Sequence, residues 1–255
     1  MDSAADDATV HFVAKWHQRE PEMQFAELFC PGDQKMRFRA WGALLHELRE
    51  TLFELSDPRV SVVKTGWWAE ELIGLDEGKQ RHPITAALIG LDAPWSALGR
   101  ALLDHDVGDR RAADTAQAVE LLLPTASAMI AVESAIFGAG GSADAPRSLA
   151  VHWLLQRLPR GLASDDQARL PMHLLARHGL TAGQLPGAAA EPMLRDWGRE
   201  LALATPGDVR GASLFRRSRH RFDQAAAERL AAGKGPGGPA PLLTFWRAWR
   251  SARGR

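Results

Sequence analysis

The chain has 255 residues, 45% of them hydrophobic and 24% charged, which is the balance of an ordinary globular protein with length enough for one large core. Lys plus Arg and Asp plus Glu each number 31, so no net charge draws the whole molecule toward nucleic acid or acidic lipid. A single cysteine, Cys30, excludes an internal disulfide framework and suits a reducing compartment, where it reads as a small buried hydrophobe rather than a catalytic thiol.

The first residues, MDSAADDATVHF, are acidic and carry no apolar core, so they read as neither a secretory signal nor a transit peptide. No stretch approaches the roughly 18 apolar residues that span a bilayer. The expected location is cytoplasmic, touching at most the inner face of a membrane. Strand signals are nearly absent, with no sustained alternation and no Asn-Gly or Asp-Gly hairpin turn between apolar runs. Between residues 33 and 54, Trp41, Leu44, Leu45, Leu48 and Leu52 recur at helical spacings. Ser56-Asp57-Pro58 stops that helix and starts another, with Pro58 suited to a first turn and Gly78 to the end. His82-Pro83 opens a short helix to Leu91, and Pro94 opens one to His105. Residues 113–137 predict a helix kinked or split at Pro124. A glycine-rich loop at 138–142 precedes a helix from Pro146 that carries Trp153 and Leu158. Further helices are predicted at 189–204, 212–232 and 241–252, about ten in all. The expected organisation is one helical domain over 1–232, then a Gly/Pro linker and a C-terminal amphipathic basic helix over 233–255.

One block carries most of the information. Residues 41–88, WGALLHELRETLFELSDPRVSVVKTGWWAEEL followed by GKQRHPITAAL, resemble the front half of the squalene/phytoene synthase family, all-α enzymes that join two prenyl diphosphates head to head. PMHLLARHGL, at 171–180, resembles the segment after that family's second aspartate motif, so the resemblance spans roughly residues 20–185. It implies an all-α, isoprenoid-synthase-like helical bundle around a central cavity. It also implies two magnesium-holding aspartate motifs, and here both are altered. The helix before Ser56-Asp57-Pro58 reads Arg49-Glu50-Thr51-Leu52-Phe53, and Arg157 and Gly161 stand where the second motif has its aspartates. A degenerate branch of the family, which includes the mitochondrial assembly factor for respiratory complex I, departs in a similar way. The chain most resembles that branch in its His-Glu-Leu helix, its Arg-x-Leu-Pro wording and its Trp-Trp pair.

The chemistry at stake is charge neutralisation. A prenyl diphosphate brings about three negative charges, and magnesium held by hard oxygen ligands offsets them as diphosphate leaves. Acids four apart share one helix face, so two such pairs form a clamp. Glu47, Glu50 and Glu54 are the candidate acids that remain. Glu50 and Glu54 keep the four-residue spacing but, aligned on the family, fall one residue late, which turns a side chain by about 100°; the simpler reading of these acids is a solvated helix face. Arginine binds phosphate without a metal, so Arg157, Arg160 and Arg169 are candidate ligand-binding residues, or else an exposed arginine-rich turn. Trp67 and Trp68 join them as wall residues of which at most one can face a cavity; both read otherwise as core. Lys64 and Glu71 read as surface.

Other motifs exclude more than they suggest. The glycine loop at 138–142 follows a helix, so it is not a dinucleotide turn, and no nucleophile elbow or histidine pair of metal-ligand spacing occurs. Arg216-Arg217-Ser218-Arg219-His220-Arg221 reads as a solvated face. In PLLTFWRAWRSARGR, aromatics line one side and arginines supply charge, which suits either docking on the domain or peripheral contact with an anionic membrane. No nucleic-acid module is recognisable. The expected protein is therefore synthase-like but non-catalytic, without a metal or other cofactor, and binds a prenyl diphosphate, a lipid or a protein partner. The alternative is an active, magnesium-dependent prenyltransferase making a squalene- or phytoene-like product.

Overall fold

The computed structural model of the protein describes residues 2–105, 111–161, 170–185, 187–234 and 241–254, without the side chains of 2–8, 158–161 and 182. Among the described residues there is no strand. In chain order the helices are α1 (Asp2–Arg19), α2 (Met23–Glu27) and α3 (Lys35–Arg49), which runs on into a π-helical turn at Glu50–Glu54. They continue with α4 (Pro58–Asp76), α5 (Pro83–Ala86), α6 (Trp95–Leu103), α7 (Thr115–Glu120), α8 (Leu123–Phe137) and α9 (Ala145–Gly161). The last are α10 (Met172–His178), α11 (Glu191–Ala204), α12 (Leu214–Ala231) and α13 (Pro241–Ala252).

Local chemistry accounts for most of these boundaries. The Asp57 carboxylate accepts from the Arg59 amide at 2.8 Å, capping α4, and Pro58 occupies its first turn. Ser213 caps α12 in the same way, accepting from the Arg216 amide at 3.0 Å. The expected helix over 113–137 is split at Leu121-Leu122, which leaves Pro124 in the first turn of α8, where its missing N–H costs nothing.

Packing runs as a chain of neighbours. α4 lies on α6, α6 on α8, α8 on α9, α9 on α12, and α12 on α11 and α13, while α1 lies along α3. Close crossings need small residues: a Cβ on Gly198 of α11 would come 2.4 Å from the Ala231 amide nitrogen of α12. One continuous core results, and six tryptophans (Trp16, Trp41, Trp68, Trp95, Trp153 and Trp197) are fully buried in it. α10 is pinned to α11 by two surface pairs, His173 with Glu200 at 2.8 Å and His178 with Asp196 at 2.9 Å.

The structure corrects two expectations. The basic run 216–221 is not a solvated face, because Arg216, Ser218, Arg219 and His220 are buried. Glu71 is buried too, accepting from the Arg81 and His82 amides and from the Thr85 hydroxyl, so it anchors the entry to α5 rather than sitting on the surface. α1 supplies Lys15, Trp16 and Arg19 to the interior described next, and Glu20 follows directly after it.

Candidate functional site

The two segments expected to face each other do so. Phe53, in the π turn, packs on Trp153 of α9 with ring centroids 5.3 Å apart, and the Arg157 guanidinium lies over the Phe53 ring at 3.9 Å. A π turn takes up one residue more than a regular helical turn. Side chains after it are therefore rotated by about 100° relative to an unbroken helix. Glu47, Glu50 and Glu54 are not a solvated face: their side chains are only 6%, 14% and 3% exposed. The reason is that each finds cations inside the protein.

Those cations come from α1, α3 and α4. The Lys15 ammonium donates to Glu47 at 2.8 Å and also to Glu50, and Lys64 lies 3.5 Å from Glu47. Although burial opposes it, these hydrogen bonds and charges raise the Lys15 pKa and keep the ammonium charged. Glu54 accepts from Arg49 Nε at 3.1 Å and lies 3.7 Å from Arg19, which also donates to the Gln156 carbonyl of α9. Arg19 thus ties α1 to both facing segments.

His46 completes this cluster in a defined tautomer. Arg49 Nη2 lies 2.8 Å from His46 Nδ1, and a guanidinium only donates, so Nδ1 accepts and the ring proton sits on Nε2. Burial, reinforced by the Arg49 charge, pushes the imidazole pKa down to about 4. Nε2 makes no hydrogen bond among the described residues and lies 3.8 Å from Glu50. His46, Glu47 and Glu50 have ligand-type atoms within 4.8 Å of one another.

Deeper in, a second network joins Glu20, just past the end of α1, to α3, α9 and α12. Glu20 accepts from Arg49 at 2.6 Å and from Arg219 at 3.2 Å, and His152 lies 3.7 Å away. Burial works against ionisation of Glu20, but His152, Arg49 and Arg219 outweigh it and hold the carboxyl well below the usual range. Asp223 accepts from Arg219 and from His152 Nδ1, each at 3.1 Å, and is lowered in the same way. A third cluster adjoins: Glu133 accepts from Trp41 Nε1 at 2.9 Å, Ser213 at 2.7 Å and Arg216 at 2.7 Å.

Aromatic rings occupy the space between these networks. Trp16 stacks on Phe215 at 5.8 Å, and Phe215 packs on Phe38 at 5.0 Å. The cavity bordered by Trp16, Glu20, Arg49, His152, Trp153 and Arg216 has a volume of about 10 Å³, room for one water and no isoprenoid chain. Arg216 Nε and Nη1, which lack hydrogen-bond partners, are the kind of atoms such a water satisfies.

The remaining candidates fall as follows. Trp68 is fully buried, and Trp67 is half-buried against it at 5.0 Å, with Arg81 over its outer ring at 5.4 Å. The side chain of Arg160 and the whole of Arg169 lie outside the described residues. Sequence reasoning missed Lys15, Arg19, Glu20 and His152, and read Arg219 as solvated. The available signal was the spacing Val13, Trp16, Glu20, which places one face of α1 on the core.

Comparison with known proteins bears on the fold. No family model matches the chain, and no curated protein does. Among solved structures it is similar to a crystal structure of a dehydrosqualene synthase in complex with ligand, with a TM-score of 0.61 and 10% identity. That match covers 98% of this chain and 97% of the other. The chain thus has the all-α, isoprenoid-synthase-like fold that the sequence resemblance implies, with the same helical frame from end to end.

Proposed function

We propose that this protein keeps the squalene/phytoene synthase frame without the synthase reaction, and works by binding a lipid or protein partner at its surface. The observation that carries the reading is Lys15 lodged between Glu47 and Glu50. Magnesium binds to carboxylate oxygens of otherwise unpaired acids. Here the acids are already neutralised by Lys15, Lys64, Arg49 and Arg19, and Arg49 holds His46 in a tautomer with no lone pair on Nε2. The facing helix presents Arg157, not a second acid pair. This donor set does not fit a magnesium cluster. The aromatic filling of the interior argues further against a prenyl chain held there, and the departure at both acid motifs favours the family's degenerate branch.

The test is thermal denaturation with farnesyl diphosphate and geranylgeranyl diphosphate, with and without magnesium, followed by a product assay. The expected result is no stabilisation and no C30 or C40 product. Magnesium-dependent stabilisation, or any head-to-head product, overturns the reading.

A further inference from the structure

The C-terminal helix is packed inside out. α13 turns Thr244, Ala248 and Ser251 toward α12 and α2, and these small residues are at most 3% exposed. Its large apolar residues face solvent instead: Leu242 is 85% exposed, Trp246 47% and Phe245 43%. Hydrophobic burial alone would turn such a helix the other way. The anchoring is polar and specific, for Arg217 Nε donates to the Ser251 carbonyl at 3.1 Å, so the outward face is held in place. Leu28, exposed at the end of α2, extends the patch beside Phe29, whose ring lies 5.4 Å from that of Phe245.

Charge decides what covers this face. α13 carries no acid, while Arg247, Arg250 and Arg253 lie along it. Arg250 sits over the ring of exposed Trp246 at 4.8 Å and Arg253 over the ring of half-buried Trp249 at 4.2 Å, so cations are layered on the aromatics. Arg221 of α12, whose pKa burial lowers, also feels the like charge of Arg250. Apolar side chains flanked by arginines, on a helix lying flat on the body, match the interface of an anionic membrane, with aromatics at headgroup depth and guanidinium groups on the phosphates. No helix among the described residues is long and apolar enough to cross a membrane.

We propose that the outward face of α13, with Leu28, docks this protein peripherally on anionic lipid. The proposal deepens the surface-binding reading above by naming the partner. Flotation of the full chain with vesicles of phosphatidylglycerol and phosphatidylcholine, against pure phosphatidylcholine, tests it. The wild type should bind only the anionic vesicles, and more weakly as salt rises. Phe245→Ala/Trp246→Ala should lower partitioning at least about tenfold while Tm stays unchanged, since both side chains are exposed, and Arg250→Glu/Arg253→Glu should lower partitioning as well. Absence of binding, equal binding to neutral vesicles, or full binding by the aromatic variant overturns it. So does a sedimentation result in which the wild type is a dimer that the aromatic variant dissolves, which would make the face a contact between copies. Prenyl diphosphate stabilisation would overturn only the earlier reading and leave the flotation result standing.

Discussion

The Lys15 ammonium donates to the Glu47 carboxylate at 2.8 Å and reaches Glu50 as well, so a side chain of α1 stands between two acids of α3 and its π turn. Lys15→Met keeps the length and removes the charge, leaving two carboxylates side by side. Breaking a fully buried pair costs roughly 3–5 kcal/mol. Lys15 is 35% exposed and Lys64 remains near Glu47, so screening reduces the loss to about 1–2 kcal/mol. Urea denaturation should show that decrease with an unchanged m-value. A variant as stable as the wild type would mean that water, not Lys15, neutralises the acids.

The Glu133 cluster should respond more steeply, because Arg216 is completely buried. Glu133→Ala strands that guanidinium and also leaves Trp41 Nε1 and Ser213 Oγ without their acceptor, at a cost of about 3–5 kcal/mol. Removing both charges as Glu133→Leu/Arg216→Met should cost less than the sum of the single changes, since neither charge is then left alone. A double-mutant cycle by chemical denaturation measures that coupling. Additive losses would show that the two side chains do not depend on each other.

The fold was legible in the sequence because it rests on local signals: helical spacing in 35–54, the Asp57-Pro58 start, and the prolines opening α5 and α13. The site was legible only in part. Glu47, Glu50 and Glu54 stand out in the sequence by their helical spacing, but whether they face solvent depends on Lys15 and Arg19, which lie about thirty residues earlier on a helix with a weak apolar stripe. Arg219 and Arg216 lie in a run of cations that reads as solvated, and only Asp223, four residues after Arg219, offers a nearby acid. Their partners, Glu20 and Glu133, are separated from them by 199 and 83 positions. Pairing over such distances is set by helix packing, not by local pattern.

Acid should unfold the protein in two stages. The folded state holds His46 at a pKa of about 4 against an ordinary 6.5, so it excludes a proton that the unfolded chain accepts. That stability is complete above about pH 6.5 and is lost as pH falls toward 4, by up to about 3 kcal/mol. Glu20 and Asp223, with folded pKa values below their ordinary 4.5 and 3.8, contribute stability that is present above those values and lost at lower pH, through the folded values. Tm measured from pH 7.5 to 3 should therefore fall in both ranges. His46→Gln, whose carbonyl can still accept from Arg49, should shrink the upper fall without touching the lower. It should not abolish it, because burial also lowers His17, His82 and His220.

Gly42 gives the sharpest packing test, since it sets how closely α1 approaches α3. A Cβ there would lie 2.4 Å from Cη2 and Cζ2 of Trp16. Trp16 is 1% exposed and stacks on Phe215, so the ring has nowhere to retreat. Gly42→Ala gains helix propensity of about 1 kcal/mol in principle. Overpacking should outweigh that and give a net loss of about 1–3 kcal/mol. Shortening the ring as Gly42→Ala/Trp16→Phe should recover part of the loss relative to Trp16→Phe alone, which makes the two changes non-additive. If Gly42→Ala instead raised Tm, α1 would have to stand off from α3, and the contact that delivers Lys15 to Glu47 and Glu50 would lose its support.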